Sequence, residues 1–239
     1  VNGDVINIAA GTYNEYNLNP DGKAITIGSA SGYLDVTING QGGSVFVFNS
    51  GETSGTVIRN LTMTGGTGTQ SNGGGIYCVN SSPTITECTI SDNSANNGGG
   101  GGIYCENSNP TISSCTITGN YVNLGNGGGI YCSSSSPTIT GCLIGNEAGS
   151  GGGIYCYNNS SPTITECTFY GNECRTGNGG GIYCASSNPT ISGCTITGNS
   201  AEQGGGIYSY ESNPHLIGCS FSDNTNIAGD TSNISGTVT

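Results

Sequence analysis

The run Gly73-Gly74-Gly75-Ile76-Tyr77-Cys78 returns five more times with small changes. Its Ile-Tyr pair marks the step: Ile76-Tyr77, Ile103-Tyr104, Ile130-Tyr131, Ile154-Tyr155, Ile182-Tyr183 and Ile207-Tyr208 follow at intervals of 27, 27, 24, 28 and 25 residues. A period of this size belongs to stacked-repeat proteins, in which a unit buries its apolar face only against its neighbours. Composition narrows the choice. With 45 glycines, no tryptophan and only 33% apolar residues, the chain cannot fill a thick core, so a narrow one of Ile, Val, Cys and Gly is expected.

One copy sets the grammar of the rest. In Gly75-Ile76-Tyr77-Cys78, alternation points Ile76 and Cys78 inward and Tyr77 outward. A second strand, Thr84-Ile85-Thr86, turns one Ile inward, and a third, Cys88-Thr89-Ile90, turns Cys88 and Ile90 inward. Pro83, Pro110, Pro137, Pro162, Pro189 and Pro214 open the second strand, where a missing N–H harms a ladder least. Asn93, Asn120, Asn146, Asn172, Asn199 and Asn224 close the third, placed to stack as an amide ladder. Before residue 72 the repeat is degenerate, but β-branched runs recur at Val5 to Ile8, Ala24 to Ile27, Val36 to Ile38, Val45 to Phe48 and Val57 to Met63, separated by turn residues. No helical periodicity appears.

Strands this short are stable only if each pairs with the coil above and the coil below. The expected fold is therefore all-β: a right-handed parallel β-helix with three short strands per coil, the hand that parallel crossovers favour. At roughly 26 residues per coil the chain makes about nine coils, rising about 43 Å. Residues 1–239 read as one domain: degenerate coils over 1–71, six repeats over 72–226, and a terminal strand or edge over 227–239.

These residues resemble the pectate-lyase-like right-handed β-helix proteins of bacterial surfaces. The opening Gly3-Asp4-Val5-Ile6-Asn7-Ile8-Ala9-Ala10-Gly11-Thr12-Tyr13 is similar to that group's first-coil signature. The Gly-Gly-Gly-Ile units, joined to Phe169-Tyr170-Gly171-Asn172 or Phe221-Ser222-Asp223-Asn224, are similar to the repeats of polymorphic outer-membrane adhesins. The resemblance implies fold more than function, because lyases, adhesins and surface fibres share such repeats. It also implies a secreted or cell-surface location. The chain opens on Val1 rather than a methionine, which reads as a processed product or a segment of something longer.

Fifteen acidic residues against Lys23, Arg59 and Arg175 give a formal charge of −12. Such a chain repels phosphate backbones and anionic lipid, so nucleic-acid binding is not expected. No apolar run is long enough to span a bilayer.

Twelve cysteines are the most conspicuous chemical groups. Five pairs sit ten or eleven residues apart, Cys78/Cys88, Cys105/Cys115, Cys132/Cys142, Cys156/Cys167 and Cys184/Cys194. Two arrangements stay open: disulfides across the lumen of each coil, or columns of buried thiols acting as small apolar fillers. Both suit an oxidising extracellular setting. Ser209 replaces one member of the sixth pair while Cys219 remains, and Cys174 falls in a variable loop, as a free thiol or in an intermolecular bond. The spacings are not those of a zinc site, and the single histidine is His215.

No enzyme is expected, because the three basic residues belong to different coils. Glu147 and Glu173 each follow the ladder Asn in adjacent units and are the one carboxylate pair close enough for glycoside hydrolysis, with Arg175 beside them. They also raise the only cofactor reading, a shared Ca²⁺. The outward Tyr column, Tyr77, Tyr104, Tyr131, Tyr155, Tyr183 and Tyr208, can stack on sugars or on itself. Outward threonines Thr84, Thr86, Thr111, Thr138, Thr140, Thr163, Thr165 and Thr190 make an array like the flat faces of ice-binding solenoids. Asn60, Asn80, Asn158, Asn159 and Asn233 lie in glycosylation sequons. The leading expectation is an extracellular structural protein, stacking head to tail into a filament or forming the shaft of a surface fibre or adhesin. Its partners are then further copies, other surface components or glycans. The alternatives are a carbohydrate-binding or carbohydrate-cleaving β-helix and an ice-binding solenoid.

Overall fold

Every β-branched run finds its partner one coil away. In the computed structural model, which describes residues 1–239, the strands form three sheets in which all strand pairs are parallel and no helix occurs. The tyrosine sheet, with strands such as Ile76–Val79 and Ile103–Glu106, has eight strands. The proline-led sheet, with strands such as Thr84–Thr86 and Thr111–Ser113, has nine. The third, cysteine-led sheet has nine on its main path. The right-handed solenoid thus completes about eight turns, the first coil reaching the tyrosine sheet only through the isolated bridge of Leu18 to Phe46.

Register is kept rung by rung. Ile76 pairs with Ile103, then Ile130, Ile154, Ile182 and Ile207, and Ile85, Ile112, Ile139, Ile164 and Ile191 do the same on the proline-led sheet. These isoleucines are fully buried and form one continuous core with the inward cysteines and, in the first coils, Phe46, Phe48, Leu61 and Met63. Strand limits move slightly from those expected. The run Val57 to Met63 splits into Val57–Arg59 and Thr62–Thr64, because Asn60 between them turns the corner in the left-handed region at φ 53°. Short extra strands at Ser94–Ala95, Glu173–Cys174, Ser200–Ala201 and Thr225–Asn226 extend the cysteine-led sheet past the ladder Asn. Sequence alternation gave no sign of them.

Each glycine of the triplet answers to a different contact. Gly127 turns the chain at φ 68°. A Cβ on Gly128 would lie 2.5 Å from the carbonyl oxygen of Glu147, at the end of the strand Leu143–Ala148. On Gly129 it would lie 2.5 Å from the side-chain nitrogen of Asn146.

Two polar ladders run through the interior. In the first, Asn120 accepts from the backbone N–H of Asn93 at 3.1 Å and its amide donates to Asn146 at 2.8 Å and to the carbonyl of Ile90 at 2.8 Å. The pattern continues from Gly66, which donates to Asn93, to Asn233, which accepts from Asn224. The second uses Ser81, Ser108, Ser135, Ser160, Ser187 and Ser212, each hydroxyl accepting the N–H of the serine one coil earlier at 2.9–3.1 Å, with Gly51 donating to Ser81.

Glu52 sits at the head of the serine ladder and is buried. Gly22 N–H donates to its carboxylate at 2.9 Å, Ser50 N–H at 3.0 Å and the Ser81 hydroxyl at 2.8 Å, so one side chain ties three coils. Burial pushes its pKa up, but these donors outweigh burial and leave it below the usual carboxylate value. A folded-state pKa below the unfolded one stabilises the fold above the unfolded value and loses that effect as pH falls through the folded one. Glu52→Gln is therefore expected to lower stability at neutral pH by roughly 1–3 kcal/mol, since donors aimed at a charge meet a neutral amide. It should also flatten the acid limb below about pH 4. Urea midpoints measured at several pH values check both effects, and an unchanged acid limb would count against this account.

Candidate functional site

The extra strands bring the expected carboxylate pair together. Past the ladder Asn, Tyr121 pairs with Glu147 and Glu147 with Glu173 on successive rungs. Gly119, Gly145 and Gly171 leave the floor beside them without side chains, opening a groove of about 450 Å³ lined also by Asn120, Asn146 and Arg175. Arg175 reaches back over the wall, with Nε 2.6 Å from one Glu147 oxygen and a terminal nitrogen 3.0 Å from the other. Only the second contact is a hydrogen bond, and the first oxygen of Glu147 is buried without a hydrogen-bond partner. Glu147 is thus ion-paired and partly buried, whereas Glu173 stays exposed. Glycoside hydrolysis requires two carboxylates with separate protonation roles. Here Arg175 pairs with Glu147 and leaves Glu173 open to the groove. No three His, Cys, Asp or Glu side chains converge on a metal position.

The other basic residues lie apart. Lys23 reaches Asp21 at 3.4 Å in the first coils, and Arg59 stands on the proline-led sheet between Gly28 and Thr86.

The tyrosines stack on themselves. Ring centroids from Tyr77 to Tyr208 are 5.5, 5.2, 5.4, 4.7 and 5.0 Å apart, with planes nearly parallel except at the last step. Each ring face is covered by its neighbour, so only edges and hydroxyls meet solvent and the column offers no platform for a sugar along its length. Burial in the stack pushes up the phenols of Tyr77, Tyr104, Tyr131, Tyr155 and Tyr183, that of Tyr131 to about 12. Tyr104 donates to Glu106 at 3.0 Å.

On the proline-led sheet, Thr84 and Thr86 align with Thr111 and Ser113, Thr138 and Thr140, Thr163 and Thr165, and Thr190 and Ser192, without a bulge. This is a two-column hydroxyl lattice, ended by His215 and Ile217. Among the sequons, the Asn60 amide is tied to Glu87 at 3.0 Å and Asn233 ends the ladder, whereas Asn80, Asn158 and Asn159 are exposed.

The cysteines take one of the two arrangements left open, buried thiols, and Cys174 requires a correction. All twelve are free thiols, so the bridges Cys78–Cys88, Cys105–Cys115, Cys132–Cys142, Cys156–Cys167 and Cys184–Cys194 are not formed. The reason is that the two members of a pair face different corners: Cys78 Sγ donates to Ser81 O at 3.1 Å, Cys88 Sγ to Thr86 O at 3.2 Å. Cys174 is not an outlying loop thiol. It lies in the strand Glu173–Cys174, paired with Ala148 and 1% exposed, and burial pushes its pKa up to about 12. An intermolecular bond from there is closed off by packing. Two further groups escaped the sequence reading, Glu52 and the serine ladder. The recurrence of Ser two residues before each repeat proline from Pro83 on was the available signal.

Comparison with known proteins agrees with this architecture. The family profile "Right handed beta helix region" matches residues 24–186, and that of the Chlamydia polymorphic membrane protein repeat matches residues 193–210. No curated protein matches the chain. Among solved structures, the plasmid-mediated fluoroquinolone resistance protein QnrB1 is similar at 12% identity and a TM-score of 0.40, over 99% of this chain and 92% of that one. With more than half its length matched and its three parallel sheets coiled rung upon rung, the chain belongs to the right-handed β-helix family.

Proposed function

We propose that this β-helix is the shaft of a surface-displayed, adhesin-type repeat protein and that its end coils stack head to tail on further copies. The observation that carries the reading is the state of the two ends. At one end the edge strand Val5–Ile8 and the residues Ile6, Ile8, Leu18, Ile25, Ile27 and Phe46 border an apolar opening of about 420 Å³. At the other, the core-facing Leu216 and Phe221 are only partly covered, and Thr239 pairs with part of the last proline-led strand. Both ends thus present apolar core residues and strand edges of the same pitch, and a contact between unlike ends propagates into a fibre. The repeat shared with the Chlamydia polymorphic membrane protein over residues 193–210 supports placement at a bacterial surface.

Electron microscopy of the purified chain, with light scattering on the same sample, tests the stacking. Rods longer than one solenoid are expected. Ile6→Lys, on the 47% exposed edge position, is expected to shorten them to single units while leaving the fold intact by circular dichroism. Monodisperse single particles at high concentration of the unaltered chain would overturn the reading.

A further inference from the structure

The thiols form two files along the axis. In one, Cys78, Cys105, Cys132, Cys156 and Cys184 pair in register on the tyrosine sheet and are wholly buried. In the other, Cys88, Cys115, Cys142, Cys167, Cys194 and Cys219 sit at the corner before the cysteine-led strands. There the carbonyl of each cysteine accepts the N–H just after the next one, as in Thr116 to Cys88 and Ser220 to Cys194, both at 2.9 Å. Sulfurs of the second file lie against the preceding cysteine: the N–H of Cys142 donates to Cys167 Sγ and that of Cys167 to Cys194 Sγ, both at 3.4 Å. Each of these cysteines therefore has its counterpart in the neighbouring coil directly beside it.

A disulfide needs Cα atoms about 4.4–6.8 Å apart and Cβ atoms about 3.5–4.5 Å apart. Adjacent parallel strands, about 4.8 Å apart, meet the first requirement and miss the second by a few tenths of an ångström. Interior coils are held at that spacing from both sides. The last cysteine-led strand, Ser220–Ser222, is paired only with Thr195–Thr197, so the corner at Cys219 can move the distance required. Cys219 is also the one cysteine that is not buried.

We infer that Cys194 and Cys219 form a modification site, joined as an inter-coil disulfide by exchange with a small-molecule disulfide. The Cys219 thiolate attacks one sulfur of the reagent and displaces the other half as a thiolate, giving a mixed disulfide. Cys194, deprotonated in turn, attacks the Cys219 sulfur and displaces the second half. One protein S–S bond forms and one reagent S–S bond breaks, and the two protein protons end on the released thiols. Burial raises the Cys219 pKa, and contact with Cys167 followed by burial raises that of Cys194. The thiolate fraction is thus small at neutral pH, and exchange accelerates as pH rises.

The full chain, reduced, freed of reductant and incubated with oxidised glutathione, is the test. Expected are the loss of two free thiols, a mass decrease of two hydrogens with no adduct retained, and a single crosslinked peptide pair containing Cys194 and Cys219. Cys194→Ser is expected to stop at a stable glutathione adduct on Cys219. The peptide map of the unaltered chain decides the matter even if that variant fails to fold. A persistent adduct on Cys219 in the unaltered chain, a crosslink between any other two cysteines, or no reaction of the folded protein would each overturn the assignment.

Discussion

Asn172→Ala is expected to destabilise the solenoid by roughly 3–5 kcal/mol, the sum of several buried groups left unsatisfied. Asn172 Oδ1 accepts the Asn146 N–H at 2.8 Å, and its amide donates to the Ile144 carbonyl at 2.9 Å and to Asn199 Oδ1 at 2.7 Å. All of this lies in the interior, where the side chain has no exposed surface. Water cannot replace the amide without entering the stack, so each stranded donor or acceptor keeps its full desolvation cost. Urea unfolding followed by circular dichroism reads the loss. Thr176→Ala, an exposed position on the neighbouring loop, should change stability by about 0.5 kcal/mol or less. A loss at Asn172 no larger than this control would show that the ladder is decoration on a stack held by its isoleucines.

Gly128→Ala should be the more damaging kind of change for its size, costing about 1–3 kcal/mol or more for one methyl group. The added Cβ would meet backbone on two sides, Glu147 O at 2.5 Å and Gly152 O at 2.7 Å. Neither is the flexible end of a side chain, so the coil must separate from the strand Leu143–Ala148 or from the coil above. Gly141→Asn makes the contrast. Gly141 adopts φ 60° with open space around its missing Cβ, and Ser114 and Glu166 hold the left-handed conformation at the same corner one coil to either side. Asparagine tolerates that conformation, so this variant is expected to fold with stability close to the parent. Thermal or urea midpoints of the two variants separate the roles, and near-neutrality at Gly128 would sink the close-approach account.

How far the candidate site was legible follows from the same residues. Glu147 and Glu173 were recognisable as neighbours because both follow a ladder Asn, and the coil repeat converts equal position into adjacency. That Arg175 clamps Glu147 was not legible, since its reach depends on how the loop after Cys174 folds back across the wall. The cysteine pairs show the opposite failure. Ten residues apart and both inward, Cys78 and Cys88 satisfied alternation, yet alternation says nothing about which corner a side chain turns toward, and the two hydrogen-bond to separate corners. Cys174 looked like a loop residue because the strand holding it is two residues long, too short to show a period.

By itself the sequence determined the solenoid: the step of 24 to 28 residues, the inward isoleucines, the prolines that open a strand and the asparagines that close one. These are local signals repeated in register, and repetition turns a local preference into a global one because every coil is the template for the next. Only the tertiary structure decided the contacts between corners. It set the glycine triplet against the extra strand, Glu52 across three coils, the tyrosine faces against one another, and each thiol of the second file beside its counterpart in the next coil rather than its partner in the same one. Those outcomes depend on distances of a few tenths of an ångström between segments about 25 residues apart, which no pattern along the chain encodes.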